Sequence, residues 1–277
     1  MKIDAHQHFW HYEARRDAWI TPDMAAIRRD FGPADLQPLL ARHGFAGCVA
    51  VQASQTEAET DTLLAHAAAH PFIRGVVGWV DLQAPAVAER LAHYRQFGVL
   101  KGFRHVLQGE ADRALMLTPA FRRGLAALGP LGFTYDLLIL PDQLGYARQL
   151  AADFPNQPFL LDHLAKPPIR SRAVADWAAG VRALAAQGNT WCKVSGLVTE
   201  AAWDTWQCAD FRPYLDVVFE AFGPGRVVFG SDWPVCNVAG GYAAVVDLAR
   251  HYLAAFSATE QAQFWGGNAA AFYSLTS

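Results

Sequence analysis

Eight short, almost continuously apolar runs, seven of them followed by a segment with helical periodicity, constrain the fold of this 277-residue chain more than any other feature. Parallel strands that are covered on both faces have this character, whereas half-exposed strands alternate between apolar and polar residues. A capping pattern at residues 257–260 opens a last helix toward Phe264. The predicted strands are residues 2–8, 47–53, 75–81, 99–105, 132–137, 158–163, 190–196 and 226–232, and the other predicted helices are residues 57–70, 85–97, 119–128, 142–154, 171–187, 211–222 and 241–256.

This alternation predicts an α/β fold, a (β/α)8 TIM barrel that forms a single domain over residues 1–277. An open, doubly wound sheet is the alternative, although the Gly-rich phosphate loop that such sheets often carry follows none of the runs. No Gly-rich or Pro-rich linker divides the chain. Residues 9–33 are too long for an ordinary connection between a strand and a helix, and we expect them to form a loop over the barrel mouth.

Composition excludes several classes of function. Apolar residues make up 52% of the chain and charged residues 18%, so a large core can form, and the net charge is only −3. The absence of a basic run excludes nucleic-acid binding, and the absence of an apolar run of membrane length excludes a membrane span. Four cysteines without CxxC spacing fit a reducing compartment. We therefore expect a cytoplasmic protein that binds a small molecule, with its oligomeric state open.

His6 and His8 lie two residues apart on the first predicted strand, so their side chains point to the same side. In a (β/α)8 barrel, catalytic groups come from the C-terminal ends of the strands. Two imidazoles at such an end can share a metal ion or donate hydrogen bonds to one substrate oxygen. For an isolated His-x-His pair, chance placement is about as good an explanation as a functional role. The residues at the later strand ends therefore decide between the two.

Those later ends are also rich in ionisable residues. His163 ends the sixth run and Asp232 ends the eighth, and together with the first pair they can form a hydrolytic site. The aspartate can take a proton from water while the imidazoles hold the carbonyl oxygen. No GxSxG nucleophile motif competes with this arrangement. The other polar residues near strand ends are Gln52, Asp81, Lys101, Arg104, His105, Tyr135, Asp136, Asp162, Lys193 and Ser195.

Strand geometry limits what these residues can do. Lys101 and His105 share one face of the fourth predicted strand, so Arg104 is expected to face the other way unless the strand has ended. Asp81 is equally well explained as a cap for the segment that follows it. Lys193 is harder to dismiss, because a lysine inside a strand that is covered on both faces needs a partner for its charge.

Five motifs carry a resemblance to a known family. They are IDAHQHFW at the start of the chain, KGFRH at the fourth strand, LDHLAKP at the sixth, KVSGL at the seventh and FGSDWPV at the eighth. In this order they resemble the amidohydrolase superfamily, and they are most similar to its lactonase branch, amidohydrolase family 2. The resemblance extends to the terminal GGNAAAFY, and it implies a (β/α)8 barrel that hydrolyses a lactone ester.

The resemblance also implies roles for single residues. The fifth strand has no histidine, which argues against a binuclear centre. One divalent ion, best matched by Zn²⁺, suits the ligand set His6, His8, His163 and Asp232. Some relatives bind one ion and others none, so the need for a metal stays open. His6 and His8 match the first-strand pair, His163 the sixth-strand histidine, Asp232 the general base, and Lys101, Arg104 and His105 a motif tied to substrate.

The leading functional hypothesis is hydrolysis of a sugar-acid lactone, such as an L-fucono-, L-rhamnono- or galactono-lactone. Aromatic faces and polar donors suit a polyhydroxylated ring, and Trp10, Trp233, Gln52, Lys101 and Asn237 can supply them. Decarboxylation or amide hydrolysis on the same barrel is the alternative within the enzymes. A non-catalytic scaffold is the third hypothesis, and it would be expected to have lost part of the histidine–aspartate set.

Overall fold

The computed structural model describes residues 1–276, and its centre is one parallel sheet of eight strands in the order β1 to β8. The last strand returns to the first, because the amide of His8 donates to the carbonyl of Trp233 (2.7 Å) and the amide of Asp232 to the carbonyl of His6 (2.9 Å). The predicted (β/α)8 barrel is confirmed. The strands are β1 Ile3–Gln7, β2 Gly47–Val51, β3 Ile73–Gly78, β4 Leu100–His105, β5 Thr134–Leu137, β6 Phe159–Leu161, β7 Thr190–Val194 and β8 Val227–Phe229.

Helices surround the barrel, and the first of them, Pro33–His43, is not among the helices predicted from the sequence. Its signals are Pro33 at the first helical position and Gly44 in the left-handed conformation just past the end. Asp35 also accepts a hydrogen bond from the amide of Gly32 (2.9 Å). The α-helices are α1 Pro33–His43, α2 Glu57–Ala69, α3 Val87–Tyr94, α4 Pro119–Ala126, α5 Leu144–Asp153, α6 Ala175–Ala185, α7 Cys208–Phe222, α8 Gly241–Leu253, α9 Ala258–Ala262 and α10 Asn268–Phe272.

Two apolar clusters hold these layers together. The larger one lies between the sheet and the outer helices. The smaller one joins inward-facing strand residues such as Ala5, Val49 and Val228 to Phe272 and Tyr273 at the end of the chain. Since α10 reaches this cluster, the C-terminal segment packs into the barrel itself.

The sixth and eighth strands are shorter than predicted. β6 ends at Leu161 and β8 at Phe229, so His163 and Asp232 lie in the loops that follow. Four consecutive residues from His163 to Lys166 have φ between 49° and 56°, and Asp232 has φ 56°. Non-glycine residues pay roughly 1–2 kcal/mol each for the left-handed conformation, and such strain concentrates at functional sites.

Residues 9–33 form the longest connection between β1 and α1. Trp10 and Phe31 pair through backbone hydrogen bonds of 3.0 and 2.9 Å, and a 3-10 helix covers Pro22–Ile27. None of the helices within residues 1–276 has the length and apolar character that a membrane crossing needs. The division of the chain into a single domain stays a prediction.

Candidate active site

Three imidazoles surround the carboxylate of Asp232 at the C-terminal end of the barrel. One carboxylate oxygen, Oδ1, lies 3.4 Å from Nε2 of His8, 3.8 Å from Nε2 of His6 and 4.0 Å from Nε2 of His163. The Nε2 atoms of His6 and His8 are 3.2 Å apart. The structure therefore brings together the four residues that the sequence singled out.

Local hydrogen bonds fix the orientation of these rings. Nδ1 of His8 lies 2.7 Å from the carbonyl oxygen of Val51, which can only accept, so Nδ1 carries the proton and Nε2 faces Asp232. Nδ1 of His163 lies 2.9 Å from the hydroxyl of Ser195. Each ring thus has one nitrogen anchored in the barrel wall and the other turned toward the carboxylate.

Asp4 joins the first and last strands beneath these rings. Its Oδ1 accepts hydrogen bonds from the amides of His6 (3.2 Å) and Ser231 (2.8 Å), which are 225 residues apart. Full burial raises the pKa of Asp4 to about 6 against these stabilising hydrogen bonds. Asp4 therefore helps to close the barrel at the point where the site forms.

Burial and neighbouring charges shift the pKa values of the catalytic candidates in opposite directions. Burial alone would raise the pKa of Asp232, but the imidazoles of His163, His8 and His6 outweigh it and hold the pKa below its usual range. Burial lowers the pKa of His163 to about 4 and that of His6 well below its usual value. At neutral pH the site holds an ionised carboxylate beside neutral His6 and His163.

A layer of buried charges lies below the histidines. Arg104 donates from Nη1 to Asp162 (2.9 Å), and its Nη2 bonds both the carbonyl and the side-chain oxygen of Gln52. The ammonium of Lys193 lies 2.7 Å from Asp136 and 2.8 Å from Asp162. Two cations thus face two carboxylates, and the side chains of Lys193, Asp136 and Asp162 are fully buried. The partner that a buried lysine requires is present.

A cavity of about 290 Å³ opens directly above this cluster. His8, His163, Asp232 and Arg104 supply its polar floor, and His6 lies beneath them without exposure. This volume is near the lower limit for small-molecule sites, so one compact molecule fits. The rest of the lining is Trp19, Ala53, Val106, Gln108, Gly109, Leu138, Lys166 and Val235.

Three polar residues that were predicted to bind substrate, Lys101, His105 and Asn237, do not line the cavity. Lys101 extends toward the C-terminal segment, where its ammonium lies 3.3 Å from the carbonyl of Ser274. His105 bonds Glu110 (2.7 Å) and Trp79 (3.3 Å) rather than the cavity. Arg104 faces the barrel interior, and this opposite orientation follows from strand alternation, as predicted. Asn237 is not among the residues that line the cavity.

The aromatic and amide residues that were predicted to contact substrate, Trp10, Trp233 and Gln52, do not line the cavity. Trp10 donates its indole N–H to the carbonyl of Arg29 (2.9 Å), and Trp233 packs edge-to-face on Phe31. Neither ring is part of the cavity lining, and Gln52 contributes by holding Arg104 from two sides. These residues build the wall behind the site.

Three residues that contribute to the site were not predicted from the sequence. Trp19, from the long 9–33 segment, is 46% exposed and lines the cavity, as does Lys166 of the LDHLAKP motif. The position of Trp19 in a segment expected over the mouth was the available signal. Tyr273 belongs to the terminal GGNAAAFY, but nothing in the sequence indicated its contact with the buried charges, because it follows the last helix and reaches them only in the folded barrel.

The nitrogen and oxygen atoms around Asp232 fit a divalent metal ion. His6, His8 and Asp232 form one set of donor atoms with the required proximity, and His6, Asp162 and His163 form another. Ligands of a tetrahedral zinc ion are about 3.3 Å apart. The distances of 3.2 Å between the imidazoles of His6 and His8 and of 3.4 Å between His8 and Asp232 match this spacing.

Comparisons with known proteins identify the family of this chain. The family model described as amidohydrolase matches residues 3–275. The chain belongs to the amidohydrolase family. This amidohydrolase is 41% identical to an L-fucono-1,5-lactonase of Burkholderia multivorans, over 99% of the chain and 96% of the relative, and 38% identical to one of Burkholderia ambifaria with the same two coverages. A crystal structure of an amidohydrolase from Burkholderia multivorans with bound zinc superposes with a TM-score of 0.96, at 41% identity and full coverage of both chains.

Proposed function

We propose that this amidohydrolase is a lactonase that opens L-fucono-1,5-lactone or a closely related aldonolactone. Sugar-lactone hydrolysis is the activity that the two relatives at 41% and 38% identity support. The observation that carries the proposal is one ionised carboxylate, Asp232, among three imidazoles, of which those of His8 and His163 line the floor of a cavity of about 290 Å³.

Asp232 is the proposed general base. It takes a proton from a water molecule in the cavity, and the water oxygen forms a bond to the lactone carbonyl carbon. The ring C–O bond then breaks, and the departing ring oxygen takes the proton back from Asp232. Water and lactone are thereby converted to a hydroxy acid, which ionises in solution.

The cationic and imidazole groups stabilise the negative charge that develops on the carbonyl oxygen. Arg104 lines the cavity and carries a permanent charge. His163 presents a donating Nε2–H when the hydroxyl of Ser195 donates to Nδ1. Removal of one such donor typically costs about 10²–10³-fold in kcat.

A metal would occupy the same floor. We propose one divalent ion, Zn²⁺ by preference, held by His6, His8 and Asp232, with His163 adjacent. Bound there, it would polarise the carbonyl and lower the pKa of a bound water. An activated ester is easier to hydrolyse than an amide. Lactone kinetics of metal-free protein therefore show whether turnover requires the ion.

A panel of lactones tests the proposal. Purified protein is incubated with L-fucono-1,5-lactone, L-rhamnono- and L-galactono-lactones, an aryl carboxylic acid and an amide, and proton release and CO₂ are followed. Rapid proton release with an aldonolactone is the expected result. Turnover of the carboxylic acid or the amide alone would contradict it and favour the decarboxylase or amide hydrolase alternative.

A further inference from the structure

The buried charges beneath the site include one group from outside the barrel strands. The hydroxyl of Tyr273 donates to Oδ2 of Asp136 (2.6 Å) and accepts from the ammonium of Lys193 (3.1 Å). Tyr273 directly follows α10 and is 1% exposed. The end of the chain therefore reaches the layer that supports the catalytic histidines.

Lys193 connects Tyr273 to the reacting groups. Its Nζ lies 3.2 Å from Nδ1 of His6, on the side of the ring opposite to the nitrogen that approaches His8. The same ammonium is 2.7 Å from Asp136 and 2.8 Å from Asp162. An ammonium has three protons, and two carboxylates, the hydroxyl of Tyr273 and the ring of His6 surround it, so its position depends on how well each carboxylate is otherwise satisfied.

We propose that Tyr273 is a positioning residue for the hydrolysis: its hydroxyl shares the charge of Asp136 and thereby keeps the Lys193 ammonium against His6. Without this hydroxyl, Oδ2 of Asp136 would keep only Lys193, and the ammonium would move toward Asp136 and away from Nδ1 of His6. The inference rests on the proposed lactonase function for its kinetic part only.

Tyr273→Phe tests this role, and Tyr94→Phe is the matched control. Tyr94 is also a fully buried tyrosine whose hydroxyl donates to carboxylates, those of Asp61 (3.1 Å) and Glu57 (3.3 Å), but it lies on α3 outside the barrel. For Tyr273→Phe we expect kcat with the best lactone to fall about tenfold or more, while KM stays within about threefold, since a hydrogen bond to a charged group is lost below the reacting atoms. Tyr94→Phe should keep both values within about twofold.

A spectroscopic measurement follows Lys193 directly. The chain has four lysines, and Lys193 alone is fully buried among them. With ¹⁵N at the lysine Nζ atoms, the parent should give a slowly exchanging ammonium signal from Lys193, which should shift or disappear in Tyr273→Phe and stay unchanged in Tyr94→Phe.

Each of the following results would overturn the positioning role of Tyr273. A parent without the slowly exchanging signal contradicts the buried contact even if Tyr273→Phe fails to fold. An unchanged signal, an unchanged kcat in folded Tyr273→Phe, or an equal loss of kcat in Tyr94→Phe does the same. If the parent hydrolyses none of the lactones, the proposed function fails by itself, and the ammonium signal still reports whether Tyr273 positions Lys193.

Discussion

Replacement of Gly196 by alanine probes how closely the catalytic loop and His163 are fitted. Gly196 has φ 63°, and an added Cβ would lie 2.6 Å from Nδ1 of His163 and 3.2 Å from Oδ2 of Asp232. An alanine pays about 1–2 kcal/mol for the left-handed conformation. Restoring an ordinary contact of about 3.5 Å also requires the imidazole to move by roughly 1 Å.

Gly132→Ala separates these two effects. Gly132 has φ 77° but nothing within 4 Å of an added Cβ, so it carries the backbone cost without the clash. We expect Gly196→Ala to lower the unfolding free energy by about 1–3 kcal/mol more than Gly132→Ala, as overpacking does. A misplacement of about 1 Å can cost 10²-fold in rate. We therefore expect kcat to fall about 10- to 100-fold in Gly196→Ala alone.

Urea unfolding and lactone kinetics on both variants give the answer. Equal losses of unfolding free energy in the two variants, together with a kcat in Gly196→Ala within about threefold of the parent, would refute the reasoning. They would mean that His163 does not need the position in which the structure places it.

Four further predictions follow from the same contacts. Lys193→Met leaves Asp136 and Asp162 buried without their shared cation, and should lower the unfolding free energy by about 3–5 kcal/mol in a urea titration. Burial raises the pKa of Asp4 to about 6, so between pH 4 and pH 6 the folded state binds a proton that the unfolded state has lost. The free energy of unfolding of the parent should therefore fall as the pH rises from 4 to 6. Over that rise, the free energy of unfolding of Asp4→Asn should increase by about 3 kcal/mol relative to that of the parent. Calorimetric titration of metal-free protein with Zn²⁺ should saturate at one equivalent and fail in His8→Gln, whereas a parent that binds no zinc would contradict the metal site. Trp19→Ala removes an aromatic face from the cavity and should raise KM about tenfold with kcat within about threefold, which steady-state kinetics would show.

The fold was predictable because it depends on local patterns. Apolar runs and amphipathic segments repeat eight times, and that repetition leaves few arrangements other than a barrel. Strand ends were less predictable, since His163 and Asp232 look like strand residues in sequence but adopt left-handed conformations. Only the folded loop shows this, because the strain is offset by contacts such as that between His163 and Ser195.

The histidine–aspartate cluster was predictable because its members sit at or just beyond the C-terminal ends of strands, which a barrel gathers at one mouth. The neighbouring substrate contacts were not, because a strand motif does not reveal which side of the barrel wall a side chain occupies. Arg104 points inward and Lys101 toward the C-terminal segment, although both belong to KGFRH. Tyr273 lies 137 residues from Asp136, and contacts of such separation leave no local pattern.

The role of Asp232 as general base is the central claim, and Asp232→Asn tests it most directly. The amide keeps the size of the side chain and removes its basicity, and general-base catalysis is typically worth about 10²–10⁴-fold. The measurement is kcat with the best lactone, made on folded variant whose metal content is determined alongside that of the parent. We predict a fall of at least about 10²-fold at unchanged metal content. A variant that hydrolyses the lactone within about threefold of the parent would contradict the claim, and a fall accompanied by loss of metal would reassign Asp232 from base to ligand.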